Sequence, residues 1–283
     1  MSSSNIITKV AIKRVPELPE VETIKNELSL HIIGRRFTDV TVLDAKLVRQ
    51  PSVEEFRQKL IGQKITSLER RGKYLIFHLS GDEVLIIHLK MSGALLLNPE
   101  QADRHARVIL HLNNNSRIVF TDRRRLGNIW LIKDEQSIIG KLGPEPITPK
   151  FTAETLVQRL QKHKAPIKAV LLDQAFIAGI GNMYADEALF AARIHPLREA
   201  NSLSPQEIGN LHKAIVDVLL LAINSKGASV DTYKLPGGQL GTAHFNFSVA
   251  HRRGKPCPVC GTPIQRLAIR NRGSYFCTNC QKL

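Results

Sequence analysis

Residues 15–23 read Val-Pro-Glu-Leu-Pro-Glu-Val-Glu-Thr, and they place a proline, an acidic residue and the start of a helix side by side. Beyond Glu20 the apolar residues recur close to helical spacing, which predicts a helix; these residues are Val21, Ile24, Leu28 and Ile32. Pro19 suits the first turn, where its missing N–H costs nothing, and Gly34 can end the helix. Pro16 and Glu17 then precede the helix, where amide N–H groups favour an anion. On these residues alone, an ordinary turn before a helix is the preferred interpretation.

The chain is strongly basic, with 40 Lys and Arg against 25 Asp and Glu and a formal net charge of +15. Such an excess suits a polyanionic partner, because cations that neutralise phosphates release the counterions condensed on nucleic acid. A generally basic soluble protein has the same composition, so charge alone does not establish the partner. The chain is long enough for two or three modest domains. No apolar run approaches the ~18 residues of a membrane span and no secretory signal is evident, so we expect a cytoplasmic protein without membrane contact.

Three regions with different patterns follow the opening helix. Residues 36–132 contain short β-branched or aromatic runs broken by polar turns, which indicates a sandwich or barrel-like sheet; the predicted strands include 40–42, 74–79, 84–89, 108–112 and 118–120. A Pro/Gly-rich linker at 143–150 precedes helices predicted at 153–162, 167–174, 183–192 and 205–224. Residues 227–250 are rich in glycine and polar residues without a clear period, so we expect a long mobile loop. The last segment, 251–283, holds all four cysteines.

The cysteines give the strongest local signal, because they form two Cys-X-X-Cys pairs separated by 16 residues. Such pairs in a cytosolic chain predict a tetrahedral zinc site rather than disulfides; the ligands are Cys257, Cys260, Cys277 and Cys280. The intervening residues predict a hairpin of 264–269 and 274–276 that turns at 270–273. A ribbon of this size buries little core, so the metal supplies much of its folding free energy. Arg270 and Arg272 at the tip fit either a probe of phosphates or grooves or a solvated basic turn.

A glycine-rich hairpin at 178–187, Ala-Gly-Ile-Gly-Asn-Met-Tyr-Ala-Asp-Glu, runs into a helix. Glycine lets the backbone approach closely, and Asn182 at the helix start leaves free N–H groups that suit a phosphate. An ordinary turn between two helices fits the same residues equally well.

The stretch Pro-Glu-Leu-Pro-Glu-Val-Glu-Thr at 16–23 resembles the start of the mature chain in formamidopyrimidine-DNA glycosylases. The resemblance implies that the amine of Pro16 is the nucleophile and that Glu17 is the acid. A physical reason supports a terminal amine: its pKa of ~8, against ~10.4 for lysine, leaves hundreds of times more of it neutral near pH 7. Attack of a secondary amine on the sugar C1′ displaces the base and leaves an iminium, which permits strand cleavage by elimination.

The chain departs from this family at the same point, because fifteen residues precede Pro16 and an amide nitrogen is not a nucleophile. We favour Val15 as the true start, since a GUG codon initiates with methionine and removal of that methionine leaves Pro16 first. Processing of residues 1–15 is a second explanation, because they carry three cations, no acidic residue and several serines, faintly like a transit peptide. A retained extension, with loss of the family's chemistry, is the third.

The same resemblance assigns roles to residues that are weak signals on their own. Lys73, in the turn Arg-Arg-Gly-Lys-Tyr at 70–74, becomes a site lysine that contacts DNA near the lesion and assists catalysis. Arg272 is oriented on the lesion from the zinc hairpin. The 178–187 hairpin, preceded by 164–168, resembles the helix–two-turn–helix element of this family. The residues expected to hold phosphates are His105, Lys164 and Asn182.

Three further residues match those that enter the duplex in this family. Met91 fills the gap left by the flipped base, and Arg124 probes the opposite cytosine. Leu126 stands where the family commonly has phenylalanine, and Arg123 where it has proline. Leucine still wedges between bases but loses aromatic stacking, which puts the strength of lesion searching in doubt.

The resemblance covers nearly the whole chain from Pro16 to Lys282 and implies an α+β fold. It implies an N-terminal catalytic β-sandwich with flanking helices at 16–142, a helix–two-turn–helix domain at 151–226, a lesion-capping loop at 227–250 and a zinc ribbon at 251–283. The implied activity is that of a bifunctional DNA glycosylase and AP lyase, which removes 8-oxoguanine and formamidopyrimidines from damaged double-stranded DNA through a proline Schiff base and β,δ-elimination. We expect one structural Zn²⁺, a monomer, and a cytoplasmic, nucleoid-associated protein.

Two alternatives stay open at this point. The first is an endonuclease VIII-like glycosylase for oxidised pyrimidines, against which the Pro-Glu-Leu-Pro-Glu stretch at 16–20 and Arg124 argue. The second is a non-catalytic protein that binds DNA damage, with Pro16 blocked by residues 1–15.

Overall fold

The computed structural model describes residues 16–101, 103–230 and 233–283. The expectations for residues 1–15 lie outside this part of the chain. The described residues form a two-sheet sandwich, a group of helices and a C-terminal hairpin, so the expected α+β fold is confirmed. None of the described helices is both long and apolar enough to cross a bilayer.

Helix α1 (Leu18–Ile32) buries the four apolar positions that its sequence pattern predicts. It begins where predicted, with Glu17 as the N-cap and Pro19 in the first turn. It ends where predicted, because Gly34 adopts a φ of +81°, a left-handed conformation that glycine takes without a Cβ penalty. Leu18 packs into the helical core and the rest of the buried stripe into the sandwich core, so α1 joins the two.

Nine strands form the sandwich: β1 (Phe37–Val42), β2 (Val48–Gln50), β3 (Ile65–Arg71), β4 (Tyr74–Leu79), β5 (Val84–His88), β6 (Gly93–Leu97), β7 (Ala106–Leu112), β8 (Arg117–Asp122) and β9 (Asn128–Ile132). One sheet has the order β1-β7-β8-β6 and the other the order β2-β9-β5-β4-β3. Neighbouring strands are antiparallel except β2 and β9. Apolar side chains of both sheets share one core with α1 and with helix α2 (Val53–Leu60).

The sequence patterns missed several of these elements. Helix α2 follows an N-cap, Ser52, whose hydroxyl accepts a hydrogen bond from the Glu55 N–H at 3.3 Å. Only Phe56 and Leu60 of this helix are buried, too few to give a visible period. Strand β3 carries charged residues at its last three positions and β6 is nearly all apolar, so neither shows a two-residue alternation.

The helical unit consists of α4 (Ala153–Leu160), α5 (Ile167–Leu171), α6 (Asn182–Ala191) and α7 (Pro205–Asn224), while α3 (Gln136–Ile139) packs on the outside of the second sheet. Helix α7 has the predicted bounds and starts with a capping box between Ser204 and Glu207. Helix α5 is three residues shorter than predicted. The reason is that the Gln174 side chain bonds to the Gly179 N–H (3.0 Å) and the Ile180 carbonyl (2.8 Å), which closes the hairpin before α6.

The 227–250 segment packs against both units. Tyr233 and Leu235 lie in the sandwich core, whereas Ala243 and Phe247 lie in the helical core. A short 3₁₀ helix, Ala243–Asn246, interrupts the irregular backbone that the sequence predicted. After this segment the chain forms the hairpin of β10 (Gln265–Ile269) and β11 (Arg272–Phe276).

Candidate active site

The Glu17 carboxylate lies at the N-terminus of α6, where α1 meets the helical unit. Its oxygens accept hydrogen bonds from the backbone N–H groups of Met183 (3.0 Å) and Tyr184 (3.4 Å). The prediction of free N–H groups at the start of this helix for a phosphate is therefore wrong, because the carboxylate of Glu17 already occupies them. Glu17 is only 3 % exposed, and Pro16 beside it is also buried.

Two glycines of the 178–187 hairpin make this close approach possible. A Cβ at Gly181 would lie 2.2 Å from Glu17 Cδ, and one at Gly179 would lie 2.7 Å from Leu18 Cβ. The Gly179 carbonyl accepts the Leu18 N–H at 3.0 Å, so the hairpin binds the first turn of α1 directly. Burial raises the pKa of Glu17, while the charge of Lys73 and the backbone N–H groups around the carboxylate act in the opposite direction.

A second buried carboxylate, Glu20, connects three parts of the chain. It accepts hydrogen bonds from the Glu17 N–H (2.8 Å), the Tyr184 hydroxyl (2.5 Å) and the Ala228 N–H (2.8 Å). Burial, together with the charge of Glu17, raises the pKa of Glu20 to about 7. The sequence pattern did not single out Glu20 or Tyr184, because an acidic residue in the first turn of a helix normally has only a local capping role.

Lys73 lies in the predicted turn between β3 and β4, and its charge interacts with those of Glu17 and Arg272. Burial lowers its pKa, the nearby Glu17 carboxylate raises it, and the Arg272 guanidinium lowers it again. The adjacent Gly72 has a φ of +57°, and its N–H donates to Glu145 at 2.5 Å. Thus Glu17, Lys73 and Arg272, which are far apart in the sequence, lie close enough for their charges to interact.

The two arginines before Gly72 are not a solvated basic face. Arg70 is paired with Glu22 (2.6 Å) and Glu145 (2.8 Å), and Arg71 also binds Glu145 at 2.8 Å. Since Glu145 belongs to the Pro/Gly-rich linker, these ion pairs hold the linker against the turn that carries Lys73.

Arg272 is the first residue of β11 rather than part of a four-residue turn. Ile269 pairs with Arg272, and the two residues between them, Arg270 and Asn271, have φ values of +46° and +59°. Positive φ at both central residues is typical of the two-residue turn that matches the twist of a hairpin. The turn therefore projects Arg270 and Asn271 at the tip and starts the strand at Arg272.

The carbonyl of Gly273, next to Arg272, is bound by two residues of the helical unit. Asn182 Nδ2 donates to it at 2.8 Å and Lys168 Nζ at 3.4 Å. Lys168 also pairs with Asp186 at 2.5 Å, and both side chains are almost fully buried. Burial raises the pKa of Asp186 to about 7 and lowers that of Lys168.

These contacts change the interpretation of Asn182, whose side-chain amide binds the hairpin. Sequence reasoning missed the Lys168–Asp186 pair. The available signal was the presence of one cation and one anion in otherwise apolar stretches, which is typical of buried paired charges.

The residues expected to enter the duplex lie at one edge of the first sheet. Gly93 pairs with Asp122 and Ala106 with Thr121, so the segments before β6, before β7 and after β8 lie together. The segment before β6 carries Met91, which is partly buried, and the segment before β7 carries His105. The segment after β8 carries Arg124 and Leu126, which are exposed. Leu126 is 39 % exposed. Lys164 does not belong to this sheet: it is an exposed residue of the loop between α4 and α5.

The four cysteine sulfurs form a site that fits one zinc ion. They all lie within 4.8 Å of one another, with Sγ–Sγ separations of 3.8 Å for Cys257–Cys280 and 3.5 Å for Cys260–Cys277. Tetrahedral ligands with Zn–S bonds of ~2.3 Å are separated by roughly 3.8 Å, whereas a disulfide requires ~2.05 Å. The predicted structural zinc is therefore confirmed, and Val249, Ile264 and Tyr275 pack beside the site in a small core.

Comparison with known proteins gives the same assignment for three consecutive parts of the chain. The model of the formamidopyrimidine-DNA glycosylase N-terminal domain matches residues 15–129, and that of the corresponding H2TH domain matches residues 142–234. The model of a zinc finger found in these glycosylases and in isoleucyl-tRNA synthetase (FPG and IleRS) matches residues 254–283.

Similar whole chains support the same assignment. The formamidopyrimidine-DNA glycosylase of Chloroflexus aurantiacus is 44 % identical to this chain, and the alignment covers 94 % of this chain and 98 % of the relative. That of Symbiobacterium thermophilum is 42 % identical, with coverage of 94 % of this chain and 89 % of the relative. A solved complex of the Lactococcus lactis Fpg protein with DNA that contains an abasic site has a TM-score of 0.88 at 35 % identity, with coverage of 94 % of this chain and 100 % of that one. The Thermus thermophilus protein has a TM-score of 0.86 at 37 % identity, with coverage of 94 % and 98 %. The chain therefore belongs to the formamidopyrimidine-DNA glycosylase family.

Proposed function

We propose that the protein is a base excision repair enzyme, a DNA glycosylase and AP lyase that removes oxidised purines from damaged double-stranded DNA. The observation that carries this proposal is the buried Glu17 carboxylate beside Pro16, which accepts the Met183 and Tyr184 N–H groups at the start of α6 and interacts electrostatically with Lys73. The substrates are 8-oxoguanine and formamidopyrimidines. The protein acts as a monomer on the DNA of the cytoplasm, in association with the nucleoid.

The reaction starts from an unblocked imino nitrogen of Pro16, so the active chain begins at this residue. The damaged nucleotide leaves the base stack, because its sugar cannot be reached inside the duplex. The Pro16 nitrogen attacks C1′, the glycosidic bond breaks, and its electron pair leaves with the base. Release of the Pro16 N–H proton and cleavage of the C1′–O4′ bond, with a proton passing from Glu17 to O4′, then give the ring-opened iminium. The iminium withdraws electrons, so loss of a C2′ proton expels the 3′ phosphate, and a second elimination, with loss of the C4′ proton, expels the 5′ phosphate.

Glu17 transfers the proton near the opening sugar ring. Its raised pKa lets the carboxyl group hold a proton closer to neutral pH than an exposed glutamate does. Once the proton has left, the N–H groups of Met183 and Tyr184 and the charge of Lys73 stabilise the anion. Both forms of Glu17 are thus accommodated, as a residue that acts first as acid and then as base requires.

The cations around Glu17 hold the DNA backbone on either side of the extruded nucleotide. Lys73 steadies the adjacent phosphate or assists departure of the base, and Arg272 is oriented on the lesion. Phosphates elsewhere are held by His105 and Lys164, whereas the Asn182 side-chain amide binds the Gly273 carbonyl of the zinc hairpin. Met91, Arg124 and Leu126 occupy the vacated space in the duplex.

The 227–250 segment covers the extruded base and decides which bases are accepted. The Ala228 N–H bond to Glu20 and the packing of Ala243 and Phe247 hold two ends of this segment close to the carboxylates. The exposed residues 237–240, between these anchors, are the ones that close over the base.

Excision from matched duplexes tests the proposal. The chain that begins at Pro16 is expected to remove 8-oxoguanine much faster than thymine glycol and to form a covalent adduct with the DNA under borohydride. Faster excision of thymine glycol favours the endonuclease VIII-like alternative. Binding to damaged DNA without adduct formation favours the non-catalytic alternative.

A further inference from the structure

Asp122, at the end of β8, organises the turn that carries Arg124 and Leu126. It is fully buried, and its Oδ2 accepts hydrogen bonds from the Leu126 N–H (2.8 Å) and the Gly127 N–H (2.7 Å). Its Oδ1 accepts the Arg124 N–H at 3.0 Å. One side chain thus fixes the backbone on both sides of Arg125, which has a left-handed φ of +57°.

The same carboxylate binds the turn that carries Met91. The Ser92 hydroxyl donates to Asp122 Oδ1, and the Ser92 oxygen also accepts the Arg124 N–H at 3.0 Å. Ser92 follows Met91 directly in the chain and is itself buried. A hydrogen-bonded triangle of Ser92, Asp122 and the Arg124 N–H therefore joins the two turns.

A single aromatic ring supports both turns from below. A Cβ at Gly93, after Ser92, would lie 2.7 Å from the Phe120 ring, and one at Gly127 would lie 2.4 Å from it. Gly127 is required because its backbone rests on the ring, and Gly93 is required because an added Cβ would meet both the ring and the Leu89 carbonyl oxygen at 2.5 Å. The pairing of Arg125 with Asp44, which includes a 3.0 Å bond from Nη2 to Oδ1, holds the second turn from outside.

From these contacts we propose that Ser92 and Asp122 are positioning residues, which make Met91, Arg124 and Leu126 enter the duplex as one unit. The inference rests on the proposed function, which assigns these three residues to the vacated space. The consequence is a link between two events: the base is displaced by Met91 only when Arg124 has met the opposite base. If Ser92 and Asp122 did not join the two turns, Met91 could displace a base without contact between Arg124 and the opposite base. The enzyme would then distinguish less well between cytosine and adenine opposite the lesion.

The test compares two substrates, using the chain that begins at Pro16. One is a duplex with 8-oxoguanine opposite cytosine or adenine, whose excision requires insertion of the unit. The other is a single-stranded abasic oligonucleotide, whose borohydride trapping requires Pro16 but no insertion. Failure of the wild-type chain to form the trapped adduct overturns the proposed function itself, and the two failures are therefore distinguishable.

Ser92→Ala is expected to lower duplex excision opposite cytosine by about tenfold, the effect of losing a hydrogen bond to a charged group. We also expect the preference for cytosine over adenine to fall, with single-strand trapping within twofold of wild type. Asp122→Asn, which places an amide against the N–H groups of Leu126 and Gly127, is expected to give a larger loss of the same kind. If Asp122→Asn fails to fold, Ser92→Ala alone decides.

Ser80→Ala is the matched control. The Ser80 hydroxyl also bridges a turn, since it donates to Gln63 Oε1 (2.9 Å) and accepts the Lys64 N–H (3.0 Å), but these bonds involve neither the turn that carries Met91 nor the one that carries Arg124. This variant is expected to behave as wild type on both substrates. The inference is overturned if Ser92→Ala keeps the cytosine preference, or if it loses activity equally on duplex and single strand.

Discussion

Replacement of Gly181 by alanine tests the contact between Glu17 and the start of α6. Gly181 has an extended backbone, with φ of −128° and ψ of −160°, so alanine introduces no backbone strain there. Its Cβ would, however, lie 2.2 Å from Glu17 Cδ and 2.5 Å from Oε1, which forces the carboxylate away from the N–H groups of Met183 and Tyr184.

Two hydrogen bonds to a carboxylate are lost in this variant, each worth about 1.5–3 kcal/mol. Overpacking adds about 1–3 kcal/mol where the neighbours do not yield. A displaced Glu17 also loses its position for proton transfer, so we expect excision of 8-oxoguanine to fall about 10²- to 10⁴-fold.

Single-turnover excision and thermal unfolding are measured together for this variant. The control is Gly209→Ala in α7, where a new Cβ meets nothing within 4 Å. That change is expected to raise the stability by up to about 1 kcal/mol, through helix propensity alone, without changing excision. Excision by Gly181→Ala within twofold of wild type would refute the role given to Glu17.

Four further predictions follow from the site. Glu20→Gln is expected to weaken the pH dependence of the free energy of unfolding. Because the pKa of Glu20 is raised from about 4.5 to about 7 on folding, the wild-type protein should lose up to about 3 kcal/mol of stability as the pH rises through that range. Urea unfolding at pH 4.5 and 7.5 should therefore show a smaller decline in the variant. Asp186→Asn leaves Lys168 buried without its counter-charge and should destabilise the fold by about 3–5 kcal/mol, whereas the double change Lys168→Met with Asp186→Leu should cost less in chemical denaturation. Arg272→Ala should slow the last elimination, and an unchanged ratio of β to β,δ products on a gel refutes that role. Removal of zinc by a chelator should unfold the β10–β11 hairpin, seen as loss of its amide protection, and weaken binding to lesion-containing duplex; retained protection contradicts a folding role for the metal.

The fold was predictable wherever local pattern and tertiary environment agree. The apolar spacing of α1 and α7 matches the faces that these helices bury, and the paired Cys-X-X-Cys motifs define the ribbon without reference to the rest of the chain. Strand β3 and helix α2 were missed because each buries few side chains, and their position depends on the sheet and the core beside them.

The candidate site was predictable in its residue types but not in its contacts. The resemblance identified Glu17, Lys73 and Arg272, yet nothing in the sequence indicates that the Glu17 carboxylate occupies the N-terminus of α6, 166 positions away. The Asp122 network is also invisible in sequence, since the five residues after β8 read as a basic turn. Such contacts depend on how strands and helices from distant parts of the chain meet.

Location of the covalent bond in the borohydride-trapped adduct tests the central claim most directly. The adduct formed with an abasic-site duplex is digested with protease and nuclease, and the modified peptide is sequenced by mass spectrometry. The account predicts a reduced sugar on the nitrogen of Pro16 at the start of the peptide. A sugar on the side chain of Lys73 or of another lysine, or a trapped chain that still carries residues 1–15, would contradict it.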